Sequence, residues 1–414
     1  MKKTKKIAIF HCGFVYSGGG ERVVLEEARR LKEKGFDVLV YAPTLDRKKC
    51  YPEIVNDVGV KTFFPSYIDK IPYRNAIRMV LSSLLAPIFA FRFRDIDIFI
   101  GANQPGAWIA FCVAKLLKKP YLVYLNQPNR VVYPRPIDVA YGWYSTEKDY
   151  HMLYVMFQYL KPVITFLDKL SVVHSNKVFV GGAYMCDIIQ NIYSIETHDN
   201  PAGAQFQPTE KIPSSNNTFT GVVTLGKSKI KKPYLLITNR HDPQKRFDYV
   251  INAFDQVLKK YPNVANLVVT GSPTKHTKEL IKLVKKLELD KKVHFVGALT
   301  EAELAKAYAN AVVYCYPSPE EDFGLGPLEA GGWGVPTVAW NHAGPTVTVV
   351  DGVTGFLAKP YEVKDYCEKI TKILCDRKLR EKMVEASRER TKNEFSWERH
   401  VGGIEEVINE LLEK

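Results

Sequence analysis

Short, mostly apolar runs alternate along this chain with longer segments of helical period, and that alternation limits the possible folds more than any other feature. Lys6 to His11 (KIAIFH), Asp37 to Tyr41, Asp97 to Gly101 and Tyr121 to Leu125 are too short for helices and read as buried strands. Between the first two, Glu21 to Lys34 sets Val23, Val24, Leu25, Ala28 and Leu31 at helical spacing, and Gly35 ends the helix. Ala107 to Leu117 has the same period. The pattern restarts with strand Tyr234 to Thr238 and helix Asp248 to Lys260, then strand Ala265 to Thr270 and helix Thr277 to Leu287. Strand Val293 to Val296, helix Glu301 to Ala309 and strand Val312 to Pro317 follow, with a helix from about Pro327 and a strand at Val335 to Ala339. Ser396 to Lys414 is an amphipathic helix. Strand and helix in alternation build a parallel, doubly wound α/β sheet.

A chain of 414 residues suits two such domains of about 200 residues each. The polar segment 206–231, rich in Ser, Thr, Asn and Lys, reads as the passage between them. The formal net charge is +13, with about +9 on residues 1–200 and about +4 on the rest. A basic chain meets nucleic acid, an anionic membrane face or phosphorylated substrates. No compact Lys/Arg block with interleaved aromatics is present, which argues against nucleic acid. The seven cysteines form neither a C-x-x-C pair nor a zinc spacing, and so point to reduced thiols in a cytoplasm. MKKTKKIAIF lacks the long apolar region of a signal peptide, and no apolar run reaches 18 residues. Ile77 to Phe91, flanked by Arg74, Arg78, Arg92 and Arg94, and Met152 to Leu167 are greasy enough to lie on an anionic membrane surface. Taken singly, each also reads as a buried helix.

The chemistry concentrates in Pro317 to Pro360. Glu321 and Glu329 flank Phe323-Gly324-Leu325-Gly326, a backbone-exposing turn, and Pro327 suits a helix's first turn. Bare amides at Phe323, Gly324 and Leu325 would receive a diphosphate at the carboxyl edge of the sheet. A carboxylate ahead of them can hold sugar hydroxyls, and the one behind can hold a ribose diol. Arg240 and Lys245 follow a strand directly and can converge on the same diphosphate, stabilising its charge as a glycosyl bond breaks. Fixed cations and helix amides can do this without a metal ion, and no metal-binding residue is assigned. Asp95-Ile96-Asp97 has the D-x-D form of a metal site but opens a strand. Gly18-Gly19-Gly20 lacks the G-x-G-x-x-G spacing of a dinucleotide site.

Arg240 with Lys245, followed by Glu321-x7-Glu329, resembles the retaining glycosyltransferases of family 4, which have the GT-B fold. That resemblance implies two Rossmann-like domains facing a cleft, residues 1–205 on the acceptor side and 206–394 binding the sugar nucleotide. It also implies that the terminal helix, residues 395–414, packs back on the first domain. Gly18, Gly19 and Gly20 resemble the loop whose amides approach the donor diphosphate, and Val293 to Gly297, with Phe295, the strand that reads the base. Asp351 to Leu357 resembles the strand motif after the site.

Within the family, His11 ahead of the glycine loop, Cys50-Tyr51-Pro52-Glu53, Asn239-Arg240 and Asp322 to Ala330 are most like mannosyltransferases of lipid-linked oligosaccharide and polysaccharide assembly. The likeness implies GDP-mannose as donor, with a UDP-hexose as the other option, no further cofactor, and a glycan or polyprenyl-linked acceptor. It implies a cytoplasmic enzyme, peripheral on the inner face of the membrane. His11 reads equally as structural or catalytic, and Arg130 as an acceptor-phosphate contact or a loop cap. Asn126 stands where the family usually has a histidine near the transferred sugar, Gly181-Gly182 where it has Asn-Ser, and Thr346-Val347 where an acidic residue is common. These departures leave a competing reading, a non-catalytic glycosyltransferase-like subunit that binds a glycan or a partner protein.

Overall fold

The computed structural model describes residues 4–65, 74–141, 155, 159–207 and 218–413. The chain forms two compact units, Met1–Ala202 with Trp397–Lys414, and Gly203–Ser396. Each is described by itself.

In the first unit, β1 (Lys6–His11), β2 (Asp37–Ala42), β3 (Lys61–Thr62), β4 (Ile98–Ala102), β5 (Tyr121–Leu125), β6 (Lys177–Val180) and β7 (His198–Asp199) form one sheet. Every pairing is parallel and the order is β3-β2-β1-β4-β5-β6-β7. β4 and β5 are buried throughout, which is why they read as unbroken apolar runs. Phe10 on β1 anchors one face, its ring within 5.9 Å of those of Phe63, Phe93 and Phe99. The order reverses between β1 and β4, a topological switch point of the doubly wound fold.

The terminal helix Trp397–Glu413 belongs to this unit. His400 Nε2 lies 2.9 Å from Glu27 Oε1, with both side chains fully buried. Its Nδ1 faces the carbonyls of Asn200 and Pro201 at 3.2 and 3.1 Å. Lys34 pairs with Glu405 at 2.6 Å, and Lys5 donates to Asn409 at 2.9 Å. The helix is thus tied on by charge as well as by its apolar face.

The second unit holds β10 (Tyr234–Thr238), β11 (Asn266–Thr270), β12 (Val293–Gly297), β13 (Val313–Tyr316), β14 (Thr337–Trp340) and β15 (Gly355–Ala358). They form a parallel sheet in the order β12-β11-β10-β13-β14-β15, reversing between β10 and β13. Before it, β8 (Val222–Leu225) and β9 (Ser228–Lys231) form an antiparallel hairpin. This corrects the expectation that 206–231 is only a passage, although 208–217 lie outside the described residues. The hairpin alternates, with Val223, Leu225 and Ile230 inside and Thr224, Lys229 and Lys231 outside, so its sequence does not read as an apolar run. The helix expected from about Pro327 spans Leu325–Gly332, with Pro327 in its first turn. Of the apolar stretch Met152 to Leu167, residues 152–154 and 156–158 lie outside the described residues. Its end enters the helix Lys161–Val173.

Replacing His400 by Ala should leave the Glu27 carboxylate buried without its partner. A destabilisation of about 3–5 kcal/mol is expected, read as a lowered midpoint for the first unit in urea unfolding followed by hydrogen exchange.

Candidate active site

Two loops of the second unit leave the carboxyl edge at its switch point. β10 ends at Thr238 and leads through Asn239–Asp242 into a 3-10 turn, Pro243–Lys245. β13, its direct neighbour, ends at Tyr316 and leads through a loop to the helix Leu325–Gly332. Parallel pairing brings Lys245 and Glu321 together although 76 residues separate them, with Nζ 2.7 Å from Oε2. Their side chains are 16% and 19% exposed, so the pair is mostly withdrawn from water. Arg240, its side chain 38% exposed, places its guanidinium 3.2 Å from Asp242 Oδ2. This local ion pair sets the guanidinium at the same edge.

Glu321 is fixed by its backbone. Gly344 N donates to the Glu321 carbonyl at 2.7 Å, and a Cβ on Gly344 would stand 2.5 Å from Phe323 N and Cα. Only glycine allows so close an approach. Phe323 then packs against Leu328 and Phe395. Gly324, at φ +92°, turns the chain into the helix, whose N-terminus no side chain caps. Glu329 lies one turn into that helix and accepts from Tyr308 Oη at 3.0 Å. Tyr308 and Tyr314 both hydrogen-bond Thr238 Oγ1, at 3.2 and 2.7 Å. Burial pushes both phenols well above their ordinary pKa, so they stay protonated. Tyr308, Tyr314 and Thr238 were not foreseen. The available signal was their polar atoms inside otherwise apolar segments. Phe295 is half-buried on the edge strand β12, its ring 5.9 Å from that of the buried His241.

In the first unit, the switch point between β1 and β4 gathers His11, the Gly18–Gly20 turn and Asn126. Gly18 is the uncapped N-terminal residue of the helix Gly19–Glu33, and its carbonyl accepts from Tyr51 Oη at 3.3 Å. A Cβ on Gly20 would lie 3.5 and 3.8 Å from the amide nitrogens of Asn103 and Asn126. Asn126 N donates to Asn103 Oδ1 at 2.9 Å, while its own Nδ2 is buried without a hydrogen-bond partner. His11 is buried, Nδ1 against the Ala102 carbonyl at 3.2 Å and Nε2 against Cys12 Sγ at 3.4 Å. Burial lowers its pKa to about 4, so the ring is neutral near pH 7. Arg130 is also buried and donates to the Tyr133 carbonyl at 3.3 Å, the loop-capping geometry. Gly182 has φ +92° at the start of the helix Ala183–Tyr193, a backbone that the Asn-Ser of the resemblance would strain. Asp95 and Asp97 bind Lys6 Nζ and Lys6 N at 2.7 and 2.8 Å, at the amino end of β4 and not at the carboxyl edge.

Residues 226–390 match the family model for glycosyl transferases group 1, and residues 17–157 match Glycosyltransferase Family 4. The chain belongs to these GT-B glycosyltransferases. It is 22% identical to alpha-1,3/1,6-mannosyltransferase ALG2 of Mus musculus over 413 residues, 95% of this chain and 94% of that protein. A D-inositol 3-phosphate glycosyltransferase of Kribbella flavida is 33% identical over 171 residues, 40% of each chain. Among solved structures, Anabaena HepE in complex with UDP superposes with a TM-score of 0.74 at 15% identity, covering 98% of this chain and 100% of that one. WaaG, a glycosyltransferase of lipopolysaccharide biosynthesis, gives 0.64 at 16% identity, covering 98% and 99%. At such identities the structural likeness concerns the fold.

For this glycosyltransferase, the second unit presents two cations, an uncapped helix start and two anchored carboxylates on one sheet edge. A Cβ at Gly326 would stand 2.3 Å from Tyr314 Oη. Gly326→Ala should therefore push Tyr314 off Thr238, costing about 1–3 kcal/mol in thermal or urea unfolding of this unit. His11 has a testable pH signature in the other unit. Its folded pKa, about 4, lies below the ordinary 6.5, so the unfolded chain binds more protons between those values. Stability should fall as pH drops from 6.5 towards 4, by about 3 kcal/mol in all, and His11→Asn should flatten that dependence in urea titrations.

Proposed function

We propose that this glycosyltransferase is a retaining mannosyltransferase, taking mannose from GDP-mannose to a polyprenyl-linked or other glycan acceptor without a metal ion. The observation that carries the reading is the Lys245–Glu321 pair at the switch point, with Arg240 on the same edge. Mannose is favoured by the likeness to ALG2 proteins along nearly the whole chain. A UDP-hexose donor is the second reading, favoured by the match to HepE bound to UDP-glucose.

Lys245 and Arg240 would take up the charge of the departing nucleoside diphosphate, and the amides of Phe323, Gly324 and Leu325 would complete its cradle. Glu321, held by Gly344, would accept from the sugar hydroxyls, and Glu329, steadied by Tyr308, from the ribose diol. Gly18, Gly19 and Gly20 would approach the diphosphate, the Phe295 strand the base, and His11, Asn126 and Arg130 would shape the acceptor side. The bond from the anomeric carbon to the diphosphate oxygen breaks, and its electron pair stays on that oxygen. The acceptor oxygen bonds to the same carbon from the same face, and its proton passes to a diphosphate oxygen. Configuration is thereby retained without a protein nucleophile, and the product is one glycoside plus one nucleoside diphosphate. With a polyprenyl-linked acceptor, the enzyme would work peripherally on the cytoplasmic face of the membrane.

Thermal unfolding with GDP-mannose, UDP-glucose and UDP-N-acetylglucosamine, each with and without EDTA, tests the donor. A shift with GDP-mannose alone, unchanged by EDTA, is expected. Lys245→Ala should lose about 2–4 kcal/mol of transition-state stabilisation, a fall in kcat of roughly 30- to 1000-fold. Unchanged turnover in that variant would overturn the assignment. The absence of a shift with any sugar nucleotide would favour the non-catalytic subunit.

A further inference from the structure

Helical segments of the first unit that pack around one common helix carry exposed apolar side chains. Arg74–Leu84, Ala86–Phe89 and the 3-10 turn Ala90–Phe93 run together, and they and the helix Lys161–Val173 pack against a common helix, Gly106–Leu117. Their inner faces fill the core through Ala86, Phe89, Phe93 and Val172. Their outer faces expose Leu84, Ile88, Phe91, Leu116, Val163 and Phe166, with Phe91 at 66% and Phe166 at 64%. Large apolar side chains clustered on neighbouring elements mark an interaction site, whereas single ones need no explanation.

Charge identifies the partner. Arg92, Arg94, Lys115, Lys161 and Lys169 are exposed among these apolar residues. Within these segments and the helices Gly106–Leu117 and Lys161–Val173 the only carboxylate is Asp168, which is buried, and the exposed Asp95 beside Arg94 is paired with Lys6 at 2.7 Å. Arg94 lies over the Phe91 ring at 4.7 Å and Arg92 over Phe89 at 4.9 Å. This places guanidinium groups beside rings, as at a lipid interface where the ring enters the acyl boundary and the cation meets phosphate. Arg78 does not contribute, contrary to the flank read from sequence. It is buried, and its guanidinium donates to the carbonyls of Phe64 and Pro65 at 3.2 and 2.8 Å. No helix among the described residues is long and apolar enough to cross a membrane.

We infer that this face, centred on Phe91 and Phe166, docks the enzyme on an anionic bilayer. The inference deepens the peripheral-membrane part of the proposed function and names the surface responsible.

Co-sedimentation of the full chain with vesicles tests it, using phosphatidylcholine with about one third phosphatidylglycerol against pure phosphatidylcholine. Binding to the anionic vesicles, weakened at high salt, is expected. Phe91→Glu with Phe166→Glu should weaken it by about tenfold or more, and Arg92→Gln or Arg94→Gln by about fivefold each. Retention of the sugar-nucleotide thermal shift in these variants shows that the fold and donor site persist, so failure of docking and failure of the donor assignment are read separately. Equal binding to both vesicle types, or none to the anionic ones, would overturn the inference. So would a dimer of the parent chain that Phe166→Glu dissolves, because a second copy would then cover the face.

Discussion

The reversal of strand order between β10 and β13 is the constraint on which the geometry of the candidate site rests. Helices that follow neighbouring strands at such a point leave in opposite directions, so the carboxyl edge between them stays open. Two loops far apart in sequence line that opening, and each contributes one half of the Lys245–Glu321 pair. Opposite charges about 4 Å apart attract by about 1 kcal/mol in water and about 4 at an effective dielectric near 20. With both side chains mostly withdrawn from solvent, the pair holds the loops in register more firmly than an exposed ion pair could. On the proposed reading, an arriving diphosphate would meet in Lys245 a cation already placed and partly desolvated.

That placement depends on glycines used for closeness. Gly344 lets the Glu321–Phe323 backbone lie flat upon it, and Gly326 leaves room for the Tyr314 hydroxyl. Through Thr238, that hydroxyl is linked to Tyr308 and so to Glu329. The two carboxylates are thus anchored differently. Glu321 is set by a backbone contact to Gly344, in the loop after β14, and by a lysine from the loop after β10. Glu329 is set by a phenol from the helix Glu301–Ala309, which steadies one carboxylate oxygen by a neutral donor. Glu329 is thus held by a neutral phenol, whereas Glu321 shares its charge with Lys245.

The parts of this arrangement visible in the sequence are those decided locally. Buried parallel strands such as Tyr121–Leu125 and Tyr234–Thr238 are continuous apolar runs and were located to the residue, and the glycine turn ahead of Glu329 declares an uncapped helix start. What stayed hidden depends on pairing across the fold. Nothing near Glu329 announces Tyr308, 21 residues away, and nothing near His11 announces that strand β4 will cover it. The β8–β9 hairpin was hidden for another reason. Burying alternate residues leaves half its side chains polar, and its lysines made it look like a linker.

The helices around Gly106–Leu117 show the same principle from the opposite side. A helix needs one apolar stripe to join a core, and here Phe89, Phe93 and Val172 supply it. Phe91 and Phe166 lie off that stripe, and the core they flank is already filled. Folding alone gives no reason to keep large apolar side chains there, because exposing them to water gains nothing and invites association. Their presence beside arginines, on segments whose only carboxylate is buried, separates the demands of the core from those of the surface. The apolar stretch Ile77 to Phe91 thus packs an inner face into the core, as one of its two readings has it, and carries on its outer face the surface proposed to meet lipid.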